Sequence, residues 1–256
     1  PITRMFLELV ERGINPNTFY GDSLNYNMVG KELEELNISR MTTSDGNKIS
    51  ITPIGELFLK LKLSRYQCIF LYEWMKKESE IFPGIILSCI IDKADGTFFY
   101  NPGKSVEEKK EHFVNFFGRW ASSSILETYL NMWKTYSDDI ETLKPTKEQL
   151  KDWCNSNSIN FRTFDSLLSS IIHTYDCIEY YKRKQITIGK FLPEKLLVKS
   201  GELFEKVYAR KIFQLTDADK LLYIDKSHET SFLDVQRHFN PYVKIPYRLV
   251  CFSNVS

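Results

Sequence analysis

The sequence predicts a mainly α chain with a β-rich end: a winged-helix unit over 1–63, a helical bundle over 64–185 and a small antiparallel β-barrel over 186–256. Three observations predict it. Helical spacing of apolar residues near the N-terminus is broken by one strong turn signal, helical spacing then runs almost unbroken to Lys184, and a two-residue period follows.

In the first unit, Met5, Phe6, Leu9 and Val10 recur at i, i+3, i+4, and Gly13 closes the run. A second run carries Met28, Val29, Leu33, Leu36 and Ile38. Thr43-Ser44-Asp45-Gly46-Asn47 is a turn, Lys48-Ile49-Ser50-Ile51 alternates as a strand does, and Thr52 before Pro53 is the cap of a further helix. Helical patterns follow over 66–80, 83–92, 106–117, 124–136, 147–155 and 161–182. Breaks fall at Asp95-Gly96, Asn101-Pro102-Gly103 and Lys144-Pro145. Beyond Lys184, 185–189, 205–214, 221–225 and 242–252 alternate or are rich in β-branched and aromatic residues.

Composition narrows the function classes. With 43% hydrophobic and 14% aromatic residues in 256, the chain has the apolar material of a folded globular protein. Its 34 basic and 33 acidic side chains leave a net charge of +1, so any binding of an acidic polymer has to be local. Five cysteines, scattered and odd in number, argue against a disulfide framework and for a reducing, cytoplasmic setting. The longest apolar run, 85–91, is interrupted by Ser88 and is far short of a membrane span, so no membrane partner is expected. A chain that opens at Pro1 without a signal-peptide pattern is expected to be a piece of a longer polypeptide.

Catalytic motifs are weak. Pro102-Gly103-Lys104-Ser105 ends as a phosphate-cradling loop ends, but the glycine needed five positions before Gly103 is Phe98, and a surface loop is the better reading. His112, His173, His228 and His238 are read as unpaired at metal-ligand spacing with one another or with cysteine, so no metal site is expected. Ser122-Ser123-Ser124 lies in no nucleophile elbow. Asp138-Asp139 and Glu107-Glu108 read as solvated acids, and Trp74, Trp120, Trp133 and Phe164 as core. No catalytic residue is expected. Tyr180-Tyr181-Lys182-Arg183-Lys184 combines rings with three cations, which suits a single strand and equally suits a helix C-terminus.

Several spaced patterns resemble one family. Pro1-Ile2-Thr3-Arg4 with Leu9 and Gly13-Ile14, and Ile51-Thr52-Pro53-Ile54-Gly55 with Leu57, Leu61 and Leu63, are similar to the winged-helix stretch of DEAH-box helicases. Trp153-Cys154 followed by Asn157, Ile159, Asn160, Arg162 and Thr163 resembles the signature of their helicase-associated bundle, and Tyr129-Leu130-Asn131-Met132-Trp133-Lys134 the helix before it. Leu222-Tyr223-Ile224 and the segment Val243-Lys244-Ile245-Pro246-Tyr247-Arg248-Leu249-Val250 resemble strands of the family's terminal OB-fold. The chain departs from the family where an aspartate-histidine pair is replaced by Ser122-Ser123 and a barrel histidine by Asp225, as in a divergent member such as the helicases of large cytoplasmic DNA viruses.

The resemblance implies an accessory region that grips single-stranded RNA, or DNA, during 3′-to-5′ translocation, its bundle acting as a ratchet. ATP and magnesium would bind RecA-like domains of the same polypeptide, outside this sequence, and an activator protein is a further partner the resemblance implies. The nucleic-acid contacts it implies are Asn160, Arg162 and Thr163, then Asn157 and Asn131, with Lys182, Arg183 and Lys184 adding attraction. The competing reading is a protein-interaction module that regulates a helicase or transcription complex without gripping nucleic acid. A winged-helix transcription factor is disfavoured by Glu32, Glu34 and Glu35 in the would-be recognition segment.

Overall fold

The computed structural model describes residues 2–20, 26–46, 48–93, 98, 105, 107–108, 111–112, 115, 118–120, 122, 125–208, 212–217, 222–225, 232–234 and 249–251.

Helix α1 (Ile2–Glu11) buries Phe6, Leu7, Leu9 and Val10. It stops where Gly13 turns to φ 73°, with the Ile14 N–H donating to Leu9 O at 2.9 Å and the Gly13 N–H to Val10 O at 2.9 Å. That is a Schellman stop, and glycine is the residue that enters the left-handed region at least cost. A short helix α2 (Pro16–Tyr20) and α3 (Tyr26–Ile38) follow. The same stop closes α3, here with Arg40 at φ 58° and the Met41 N–H donating to Leu36 O at 2.9 Å.

Strands β1 (Thr42–Asp45) and β2 (Lys48–Ile51) pair antiparallel from Thr42↔Ile51 to Asp45↔Lys48. The expected turn is thus two residues long, with Gly46 at φ 58°. Helix α4 (Pro53–Lys60) is capped by Thr52, whose hydroxyl accepts from the Gly55 N–H at 3.3 Å. A side chain at position 55 would run into the carbonyl oxygen of Met41, so this glycine lets the helix approach the preceding strand entry.

Polar side chains tie these helices together. Arg4 donates to the carbonyls of Phe58, Leu59 and Leu61 at 3.1, 2.6 and 2.7 Å, satisfying the open C-terminal end of α4 from α1. Arg65 bonds Glu32 at 2.7 Å, Glu35 at 3.3 Å and Thr3 at 3.2 Å, and Thr3 in turn donates to Glu32 at 2.6 Å.

The middle of the chain packs around α6 (Ile81–Lys93), in which every residue from 82 to 90 is buried. It lies against α5 (Arg65–Lys77), α7 (Ile125–Ile140) and α9 (Phe161–Lys182). A helix apolar all round needs such cover. No helix among the described residues is long and apolar enough to cross a membrane. Helix α8 (Lys147–Ser156) starts at a capping box, with Thr146 and Gln149 bonding each other's backbone. One hydrophobic cluster runs from Phe6 to Tyr208.

The fold class expected from the sequence needs correction. The described residues are mostly helical, and no OB-like β-barrel is found among them. The segment expected to open the barrel contains helix α10 (Pro193–Tyr208) instead. Leu196, Ser200, Leu203 and Tyr208 are buried, and the Phe204 ring packs at a tilt against Phe70 of α5, centroid to centroid 4.8 Å. This apolar face overrides the alternation read over 205–208. Residues 185–189 form no strand either, because the Ile186 N–H donates to the Glu179 carboxylate at 2.8 Å rather than to a neighbouring strand. Strands β3 (Ile212–Asp217), β4 (Leu222–Asp225), β5 (Phe232–Asp234) and β6 (Leu249–Cys251) make an open antiparallel sheet in the order β5-β4-β3-β6, with no pairing of β5 to β6. Of the helix expected over 106–117, residues 107–108, 111–112 and 115 are described and are helical, while most of the 243–250 motif lies outside the described residues.

Candidate nucleic-acid interface

The Trp153–Thr163 pattern folds into a tight joint between α8 and α9. Trp153, Cys154 and Ile159 are buried, and Trp153 packs with Tyr136 and Phe164 at ring-centre distances of 5.1 and 5.0 Å. The Trp153 indole N–H donates to Asp139 at 2.8 Å. The Cys154 thiol is pushed up to about 12 by burial, with Asp165 adding to it, so it stays protonated and is no nucleophile at neutral pH. Ser158 takes φ 52° between the helices, and the Ile159 N–H donates to Cys154 O at 2.9 Å.

Asn157, Asn160 and Asn131 each have a structural task. Asn157 is buried. Its amide donates to Trp153 O at 2.8 Å and its carbonyl oxygen accepts from Arg119. Asn160 is the N-cap of α9: its side-chain oxygen accepts from the Arg162 N–H at 3.1 Å and the Thr163 N–H at 3.4 Å. Its own N–H donates to Phe98 O at 2.6 Å. Asn131, on α7, is half-buried and donates to Trp120 O at 3.1 Å. Arg119 stacks over the Trp120 ring at 4.1 Å, so Asn131 and Asn157 belong to one polar network through residues 119–120. Burial pulls the Arg119 guanidinium below its ordinary range, with Asp139 opposing the shift.

That leaves Arg162 as the exposed charge on the first turn of a 22-residue helix, beside a half-buried Thr163. A guanidinium at a helix N-terminus, on a backbone held by a cap, suits a phosphate without reading sequence. Lys182, Arg183 and Lys184 are exposed as well, but at the other end of α9, where Arg183 at φ 50° closes the helix. At 1.5 Å per residue the two groups are roughly 30 Å apart. The structure therefore does not bring the three cations to Arg162, and Asp165 and Asp176 are exposed along the helix between them.

The remaining motifs fall as follows. Pro102, Gly103 and Lys104 lie outside the described residues. Ser105 and Glu108 bond each other's backbone N–H at 3.1 and 3.2 Å, the reciprocal pattern of a helix start. Trp74, Trp120, Trp133 and Phe164 are all buried. His228 and His238 lie outside the described residues. His173 corrects the sequence reading: it stands four residues before Cys177 on one face of α9, with Nε2 3.7 Å from the sulfur. The i, i+4 spacing of His173 and Cys177 is the sequence signal for this pair.

No protein-family model matches the chain, and no curated protein matches it.

Proposed function

We propose that this chain is the strand-holding accessory region of a DEAH-box-type RNA helicase, with Arg162 as its leading contact to the backbone of a single strand. The observation that carries the reading is the α8–α9 joint. Asn157, Asn160, Trp153 and Phe164 are committed to protein contacts, and Arg162 stands exposed on a fixed first helical turn. Thr163, next along that turn, would add a hydroxyl. Asn160 would act by fixing the turn, and Asn157 and Asn131 by bracing the joint against α7. Lys182, Arg183 and Lys184 would attract the strand at the far end of α9. ATP and magnesium belong in this reading to RecA-like domains elsewhere in the polypeptide, and the accessory region limits backsliding between strokes.

A docking module without nucleic acid is the second reading. It is favoured by Ile188, Leu192 and Val198, which are exposed by 52%, 52% and 79% close together in the chain.

Fluorescence anisotropy with labelled single-stranded RNA separates the two. The first reading expects binding that weakens with Arg162→Ala and survives Val198→Ser. A titration without binding, in the chain and in the full polypeptide alike, would overturn it in favour of docking.

A further inference from the structure

The geometry points to a metal site on the outer face of α9: the His173 imidazole, the Cys177 thiolate and the backbone carbonyl of Lys60 as three donors to one zinc-like divalent cation, water completing a tetrahedron. His173 Nε2 lies 3.2 Å from Lys60 O, Cys177 Sγ 3.7 Å from the same oxygen, and the nitrogen and sulfur 3.7 Å from each other. Zinc bonds of about 2.3 Å to sulfur and about 2.0–2.1 Å to nitrogen or oxygen, at tetrahedral angles, put such donors roughly 3.3–3.6 Å apart. The triangle already has nearly these edges.

Its parts come from elements that hold them still. His173 and Cys177 share one face of α9, and Lys60 is the last residue of α4, where a carbonyl has no partner within its own helix. Both side chains are half-buried, so an ion can reach them. Cys68, Cys89 and Cys154, in contrast, are buried. Burial raises the Cys177 thiol above its ordinary range, with Asp176 adding to it and Lys60 and Lys62 opposing, and Asp176 is itself paired to Lys144 at 3.2 Å. Among the described residues no third acidic, histidine or cysteine side chain joins the pair. The site is therefore open, with at least one exchangeable position, and binding would release the Cys177 proton to solvent while clamping α9 to the end of α4.

Cobalt(II) titration of the full chain, stripped of metal and kept reduced without added thiols, tests this. One equivalent should produce a thiolate-to-cobalt charge-transfer band together with tetrahedral d–d bands, and zinc should abolish both. Cys177→Ser and His173→Ala should each weaken binding by roughly tenfold or more, and Cys251→Ser should leave it unchanged. No thiolate band at one equivalent, or an undiminished band in Cys177→Ser, would overturn the site and leave the pair as a cap on α4. Should a variant misfold by circular dichroism, the wild-type spectrum decides alone.

Discussion

Asn160 is where a structural task and a binding task can be separated by substitution. Its side-chain oxygen accepts from two backbone N–H groups, one at 3.1 Å and one, weaker, at 3.4 Å. Replacing an asparagine cap with alanine costs about 1 kcal/mol within a range of about 0.5–2, and one good bond plus one long bond argues for the middle of it. With a urea dependence of about 1–3 kcal/mol per molar, the Asn160→Ala midpoint should fall by roughly 0.3–1 M. Asn160→Asp keeps the capping oxygen and adds charge that the helix dipole favours, so its midpoint should stay near wild type. The same aspartate stands two residues before Arg162 and repels phosphate, so RNA binding should drop although the fold is intact. Equilibrium urea unfolding followed by circular dichroism, paired with RNA anisotropy on the same samples, reads both effects. An unchanged midpoint in Asn160→Ala, or an Asn160→Asp variant as unstable as the alanine, would refute the capping account.

Three further outcomes are expected from the core and from one titrating group. Gln67 is fully buried and both its amide atoms lack a hydrogen-bond partner, so Gln67→Met should raise stability by about 1–3 kcal/mol, read as a higher urea midpoint. A side chain at position 84 would enter the Trp74 indole, so Gly84→Ala should lower stability by about 1–3 kcal/mol and shift the near-ultraviolet tryptophan signal. The Tyr175 hydroxyl and the Ile186 N–H hold the Glu179 carboxyl below the usual range. Because its folded value is depressed, its contribution is present above the ordinary glutamate value of about 4.3 and is lost as pH falls through the lower folded value. Glu179→Gln should flatten that acid limb in unfolding measured against pH.

Local chemistry was legible in the sequence where one residue sets one geometry. Gly13 ending α1, Thr52 with Pro53 opening α4, the turn at Gly46 and the run 161–182 as one helix all stand as read. The β-rich end misled because aromatic residues also line helix faces: in α10, Phe204 and Tyr208 pack on Phe70 and Tyr66 of α5, a partner more than 100 residues away that no local window contains. The candidate site was legible as a segment but not in its division of labour. The sequence places Asn157, Asn160 and Arg162 within six positions, whereas only coordinates show the asparagines committed to backbone and to Arg119 and the arginine exposed. The His173–Cys177 pair is present in the spacing, but the group both side chains approach is the backbone carbonyl of Lys60, which no residue pattern announces.

The central claim, a phosphate contact at Arg162, is tested most directly by the salt dependence of RNA binding. Plotted as log K against log salt for the chain and for Arg162→Ala, the account predicts a line for the variant that is shallower by about 0.7, the share of one phosphate on a single strand. Parallel lines, or affinity that ignores salt, would contradict it.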